Sequence, residues 1–222
     1  MPLLYDVVDV LYERDRRKKR RRLWALLGLA LVVGLSMTFW RHGREVAAAV
    51  ISEVGVRRVE VFAAEIRGAA LESGVDPCLV AGIMYSESRG RISAKSSTGA
   101  LGLMQLAPSA ASDAARKLGL PTPTEEELLS DAELNIRLGA RHLAWLIEHS
   151  DGMSFEQMLI CYNAGRAKYF RWLKSAGGYR AWRARELDRM DAGEGNTGAL
   201  SYAVGTLAMR DHFGERGVIE GR

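Results

Sequence analysis

Residues 76–90 read Asp76-Pro77-Cys78-Leu79-Val80-Ala81-Gly82-Ile83-Met84-Tyr85-Ser86-Glu87-Ser88-Arg89-Gly90, and this stretch decides the fold class. Asp76 is an N-cap, and Pro77 takes the first helical position, where its missing N–H costs nothing. The helix runs to about Ser88 and stops at Gly90. At 100° per residue, Val80, Ile83, Met84 and Glu87 fall within about 100° of one another, so a carboxyl continues an apolar stripe. A buried carboxylate is costly unless it is neutral, paired or useful. Burial also raises its pKa, which suits a general acid at neutral pH. The competing reading is a last-turn Glu that bends out to solvent, and periodicity alone leaves both open.

Outward from this helix, helix signals recur and strand signals are scarce. Val59, Phe62, Ala63, Ile66 and Ala70 keep three-four spacing up to Gly74. Thr124 with Glu127 and Ser154 with Gln157 are capping boxes. Leu134, Leu138, Arg141/His142 and Trp145 form a mostly apolar stripe. A helix ends at Tyr162–Gly165, and a last one covers 198–213. Residues 91–107 carry no long period, so they read as irregular chain with room for a short β-hairpin. The expected fold is mainly α, with seven or so helices around one core.

The stretch Ser96-Ser97-Thr98-Gly99-Ala100-Leu101-Gly102-Leu103-Met104-Gln105 is punctuated by glycine, which lets backbone approach a ligand closely. It serves equally well as a structural turn. Tyr162-Asn163-Ala164-Gly165 puts a phenol and an amide at a helix end, where capping is the plainer use. Trp172, Tyr179 and Trp182 read as packing of the C-terminal helices, with sugar stacking as the other option.

The net charge of +4 is a local matter. Residues 14–22 carry +7 and residues 1–13 carry −3, so residues 23–222 balance at zero and show no attraction for nucleic acid. After the basic run, Leu23–Trp40 is 18 residues without a charge. As a helix it spans roughly 27 Å, close to a bilayer's hydrocarbon core. Trp24, Phe39 and Trp40 sit at its ends, and the positive flank places the N-terminus in the cytoplasm. A cleaved signal peptide is the rival; the 22-residue polar lead and the lack of a small-x-small site favour an anchor. The expected organisation is a basic segment 1–22, a transmembrane anchor 23–40, a stalk 41–56, a catalytic domain 57–215 and a tail 216–222. The terminal Ile219-Glu220-Gly221-Arg222 matches a protease-site linker.

Together these segments resemble the soluble-lytic-transglycosylase (SLT) family, whose fold is related to goose-type lysozyme. The matching pieces are Glu87-Ser88-Arg89, Ser97-x-Gly99-Ala100-x-Gly102-Leu103-Met104-Gln105-x-x-Pro108, Leu129-x-Asp131 with Asn135-Ile136-x-x-Gly139, and Tyr162-Asn163-Ala164-Gly165. They keep family order over roughly residues 60–210. The resemblance implies that Glu87 is the single catalytic acid/base and that Ser88 adds a hydroxyl to the site. Ser97, Gly99, Met104 and Gln105 would line the cleft, with Gln105 hydrogen-bonding sugar. Tyr162 would bring its hydroxyl to Glu87, and Asn163 would contact glycan. The chain departs from the family at Cys161, at Ala110, and at a Glu-Thr pair expected four residues before a late tyrosine. If Tyr202 is that tyrosine, Gly198-Ala199 stands in place of the pair.

Two-carboxylate glycosidases flank the scissile bond with acids, yet no Asp or Glu lies between Ser88 and Ser112. The family's chemistry needs one. It cleaves the MurNAc–GlcNAc bond of peptidoglycan through the sugar's own 6-hydroxyl, leaving a 1,6-anhydro-MurNAc end. Joined to the anchor read from residues 14–40, the resemblance implies a transglycosylase held in the membrane with its domain in the periplasm and no cofactor. A secretion or wall-synthesis complex is an open partner. A lysozyme-like hydrolase, or a non-catalytic wall-binding component of a secretion apparatus, are the alternatives. Four histidines show no metal spacing, and Cys78 and Cys161 read as either a disulfide or two buried thiols.

Overall fold

A computed structural model describes residues 49, 50, 52–195 and 197–221. The basic segment, the expected anchor 23–40 and most of the stalk lie outside the described residues. Among those described, no helix is long and apolar enough to cross a membrane. The chain divides into two compact units, Met1–Glu53 and Val54–Arg222. The second carries the folded domain.

Residues 54–60 are helical and lead into α1 (Ala63–Ser73), followed by α2 (Pro77–Ser88), α3 (Pro108–Lys117), α4 (Glu125–Ser130), α5 (Ala132–Glu148), α6 (Phe155–Ala164), α7 (Arg166–Ala176), α8 (Tyr179–Asp191) and α9 (Ala199–Arg216). The sequence's punctuation does what it signals. Asp76 accepts the N–H groups of Cys78 and Leu79 at 2.9 and 3.4 Å. Both capping boxes form, at Thr124/Glu127 and Ser154/Gln157. Gly74 closes α1 in the left-handed conformation, with φ of 67°.

Helix α2 is the axis of the domain. The stripe read from its sequence is too narrow, because every residue from Cys78 to Tyr85 is buried. A helix that is apolar all round has neighbours all round. Its main partner is α9, which also packs on α6, while α5 is covered by α1 and α3. The α2–α9 crossing is close: a Cβ on Gly82 would stand 2.8 Å from the Thr206 carbonyl oxygen and 3.0 Å from the Arg210 nitrogen. Only glycine fits there without moving a backbone.

The expected β-hairpin is replaced by isolated bridges, Lys95 to Leu101 and Leu101 to Leu106. Gly99, Gly102 and Gln105 all have positive φ (85°, 77° and 47°). Three reversals within seven residues leave no straight run for a strand. The C-terminal residues are packed rather than trailing. Ile219 is fully buried, and Arg67 donates to the carbonyls of Val218 and Ile219 at 3.3 and 3.2 Å. Cys78 and Cys161 are buried free thiols. Trp182 is buried with Trp172 stacked on it at 5.6 Å, so these aromatics serve packing.

Candidate active site

Glu87 sits in the last turn of α2, half-buried, where the apolar axis of the domain meets its surface. Burial lifts its pKa to about 7, and a contact from Tyr202 pulls partly against that rise. A carboxyl poised there holds its proton for about half the time at neutral pH, which suits both donation and recovery.

Tyr202 is brought to Glu87 by a row of α9 residues spaced by four. Arg210 pairs with Asp76 at 2.5 Å, Thr206 Oγ1 donates to Ser86 Oγ at 2.8 Å, and Tyr202 follows at the Glu87 end. The Tyr202 hydroxyl is buried and satisfies no hydrogen bond of full geometry, although it lies close enough to Glu87 to lower its pKa. Burial and the facing carboxyl push the phenol well above its ordinary value, so it stays a donor. A hydroxyl that favours the carboxylate form sets the sign of a test. Tyr202→Phe should move the alkaline limb of the pH–rate profile upward and lower kcat by roughly tenfold. An unchanged limb would separate Tyr202 from Glu87.

Tyr162 behaves differently from what the resemblance implies. It lies near enough for the Glu87 charge to raise its pKa further beyond burial, but its proton goes to the Met104 carbonyl at 3.1 Å. That bond ties α6 to the glycine loop. Of the two tyrosines, Tyr202 is the one that tunes the carboxyl.

Beside Tyr162 runs a groove of about 450 Å³. Gln105, Tyr162 and Asn163 line it, with Thr98, Ala100, His142, Trp145 and Arg166, and no acid does. Glu87 is not itself a lining residue; Tyr162 is the joint between groove and carboxyl. Gln105 spends its amide N–H groups on Ala94 and Gly102 carbonyls at 2.9 and 3.0 Å, so its free group toward the groove is its oxygen. Asn163 is exposed at the rim.

The other expected residues lie elsewhere. Ser88 is fully buried and donates to the Met84 carbonyl at 3.2 Å, one turn back on α2. Met104 is fully buried, and its side chain fills the space that a Cβ on Gly139 would need. Ser97 is exposed on the loop, and Gly99 has open space beside it.

Three contributors carried no assigned role in the sequence. Asn135 on α5 is fully buried. It accepts from the Met104 N–H at 2.8 Å and donates to the carbonyls of Leu101 and Leu128 at 3.1 and 3.0 Å. One amide thus fixes the loop, and Gly102 must be glycine because a Cβ would meet Asn135 Nδ2 at 2.1 Å. His142 is held neutral, its pKa driven to about 4 by burial. It stacks on Trp145 at 6.1 Å and tilts against Tyr162 at 5.4 Å, so the far wall of the groove is aromatic. The signal was present: Asn135 belongs to a quoted motif, and His142 and Trp145 sit on the α5 stripe.

The Glu-Thr pair missing before Tyr202 has a counterpart in Glu186 of α8 and Thr197 of the connection to α9. Glu186 of α8 is 2% exposed and accepts from the Thr197 N–H at 2.8 Å and the Thr197 hydroxyl at 2.7 Å. Thr197 Oγ1 accepts from Ala199 N at 3.4 Å. This carboxylate anchors the start of α9, where no side chain caps the helix. Glu186→Gln should cost about 1–2 kcal/mol in urea unfolding and lower kcat more than it changes KM.

The endo-type membrane-bound lytic murein transglycosylases A of two Klebsiella pneumoniae strains are 37% identical over 95 residues, 42% of this chain and 47% of theirs. The chain therefore spans about half the length of those proteins. An inactive mutant of lytic transglycosylase Slt from Pseudomonas aeruginosa superposes with a TM-score of 0.56 at 26% identity, covering 69% of this chain and 24% of that one. The 70 kDa soluble lytic transglycosylase of Escherichia coli shares the fold, with the same TM-score at 21% identity and cover of 68% and 24%. The family described as the transglycosylase SLT domain matches residues 65–184, from α1 into α8, and the chain belongs to that family.

Proposed function

We propose that the domain is a peptidoglycan lytic transglycosylase, cleaving the MurNAc–GlcNAc bond without water. The observation that carries this reading is a half-buried carboxyl, its pKa lifted to about 7, joined through Tyr162 to a sugar-sized groove that no acid lines. The Glu87 proton passes to the glycosidic oxygen as the C–O bond breaks. The N-acetyl oxygen of the same MurNAc stabilises the anomeric carbon. The Glu87 carboxylate then takes the proton of that sugar's 6-hydroxyl, whose oxygen closes on the anomeric carbon. The attacking group is already tethered, so the step has the advantage of an intramolecular reaction. Tyr202 supports the ionised form between the two transfers. Gln105 and Asn163 hold the glycan, and the His142–Trp145 wall offers it an apolar face.

The wider organisation belongs to the same proposal: residues 23–40 anchor the protein in the inner membrane, and the domain works in the periplasm on glycan strands. The Klebsiella relatives are named membrane-bound enzymes, and the uncharged run behind a basic flank supports the same topology. Mass spectrometry of muropeptides released from purified peptidoglycan tests the reaction. Anhydro-MurNAc ends are expected. Reducing MurNAc ends would make the domain a lysozyme-like hydrolase, and no release by folded, glycan-binding protein would make it a wall-binding component.

A further inference from the structure

Thr206 is fully buried in the middle of α9. A threonine so placed ordinarily turns its proton to the carbonyl one turn back on its own helix, which here belongs to Tyr202. It reaches instead across the close crossing at Gly82 and donates to Ser86 Oγ on α2 at 2.8 Å. A hydroxyl has one proton and two lone pairs, so Thr206 keeps only lone pairs for its other neighbour. That neighbour is Tyr202, four residues earlier on the same face of α9.

The Tyr202 hydroxyl, closed off from water, interacts with both the Glu87 carboxyl and the Thr206 hydroxyl and holds neither at full hydrogen-bond geometry. It therefore has one proton and two acceptors. An ionised Glu87 is the stronger of the two. A protonated Glu87 is a weak acceptor, and its own proton has to be free for the substrate. The other titratable groups around this row are committed elsewhere. Tyr162 of α6 gives its proton to the Met104 carbonyl and, like Tyr202, is uncharged at neutral pH. Arg89 lies over the Tyr85 ring at 4.2 Å, and Arg210, one turn beyond Thr206, is engaged by Asp76 at 2.5 Å.

We propose that Thr206 is a positioning residue that accepts the Tyr202 proton whenever Glu87 holds its own, which leaves the Glu87 proton to the substrate. The proposal rests on Glu87 being the acid of the proposed function. As Glu87 ionises, the phenol O–H swings from Thr206 to the carboxylate, and as the carboxylate recovers a proton it swings back. No proton leaves Tyr202; only the direction of its O–H changes. Without the Thr206 oxygen, the phenol proton has Glu87 alone, which favours the carboxylate and weakens its hold on a proton.

Thr206→Val keeps the shape and removes the acceptor. The alkaline limb of the pH–rate profile should move down by about half a unit, opposite to the shift expected of Tyr202→Phe. The rate above pH 7 then falls about threefold with KM unchanged. Carbon-13 NMR of the Glu87 carboxyl, in protein without substrate, should show the same fall in its titration midpoint. Thr206→Ser should restore both readouts, and Thr206→Ala should repeat the valine result should valine disturb the packing. In a Tyr202→Phe background, Thr206→Val should shift nothing further. A midpoint unmoved in both hydroxyl-free variants overturns the proposal. An equal shift in the Tyr202→Phe background also overturns it, and would make Thr206 a strut between α9 and α2. A lowered midpoint in a protein whose wild type releases no anhydro product would uphold the hydroxyl switch and sink the transglycosylase reading instead.

Discussion

Glu87→Gln will leave less than about a thousandth of the wild-type rate on peptidoglycan, because the proposed mechanism gives both proton transfers to this one residue and no acid lines the groove to replace it. The same variant will be more stable than the wild type, and the gain will depend on pH. The folded pKa of Glu87 is about 7, above the ordinary carboxylate value of 4.5. A raised carboxyl pKa means that the native state favours the proton. Its contribution to stability is fully present below about pH 4.5 and is lost as pH rises through 7. Glutamine keeps the shape and never ionises, so it escapes that loss. The difference between variant and wild type should grow from pH 4.5 to 7 and level off above, reaching up to about 3 kcal/mol. Urea midpoints across that range measure it. A flat difference would mean that Glu87 is solvated like any surface carboxyl.

Asn135→Ala carries the second large effect, and it acts without touching the reacting atoms. It strands the buried Met104 N–H and removes a donor from the carbonyls of Leu101 and Leu128, on two segments, the glycine loop and the end of α4; the Leu101 carbonyl keeps the Leu106 N–H at 3.0 Å. The cost should be about 3 kcal/mol of stability. The glycine loop then loses its fixed distance from Tyr162, whose hydroxyl bonds to the Met104 carbonyl. Displacements near 1 Å at such positions cost about a hundredfold in rate. Asn135→Asp discriminates the cause. It retains an acceptor for Met104 but sets oxygens against the carbonyls of Leu101 and Leu128, so it should fare no better than alanine. An Asn135→Asp protein with near-normal activity would remove the amide from the account.

Much of this was written in local sequence. The caps of α2, α4 and α6 are short-range chemistry and formed as read. Glu87 was legible because a charge extending an apolar stripe is costly without a reason. What escaped depends on distance along the chain. Tyr162 donates to a backbone carbonyl 58 residues away, which no side-chain pattern encodes. The counterpart of the Glu-Thr pair eluded spacing because Glu186 reaches Thr197 from the preceding helix, 11 residues back. The hairpin failed because the aperiodic stretch 91–107 gave no sign of three positive φ values, and Gln105 at 47° has no side-chain signature for one. Ser88 and Met104 carry family motifs, but their side chains support the site from inside the core.

Glu87 lies early in the domain and the tyrosine that tunes it lies 115 positions later, on α9. A ribosome finishes α2, the glycine loop and most of the groove before it makes Tyr202. Until α9 docks along Gly82, the face of α2 that it covers is open to water, and the carboxyl should titrate closer to an ordinary acid. An unfinished or truncated chain therefore carries every groove residue and still lacks an acid that holds its proton at neutral pH. Under the proposed function, the order of synthesis is itself a restraint: lytic capacity arrives last.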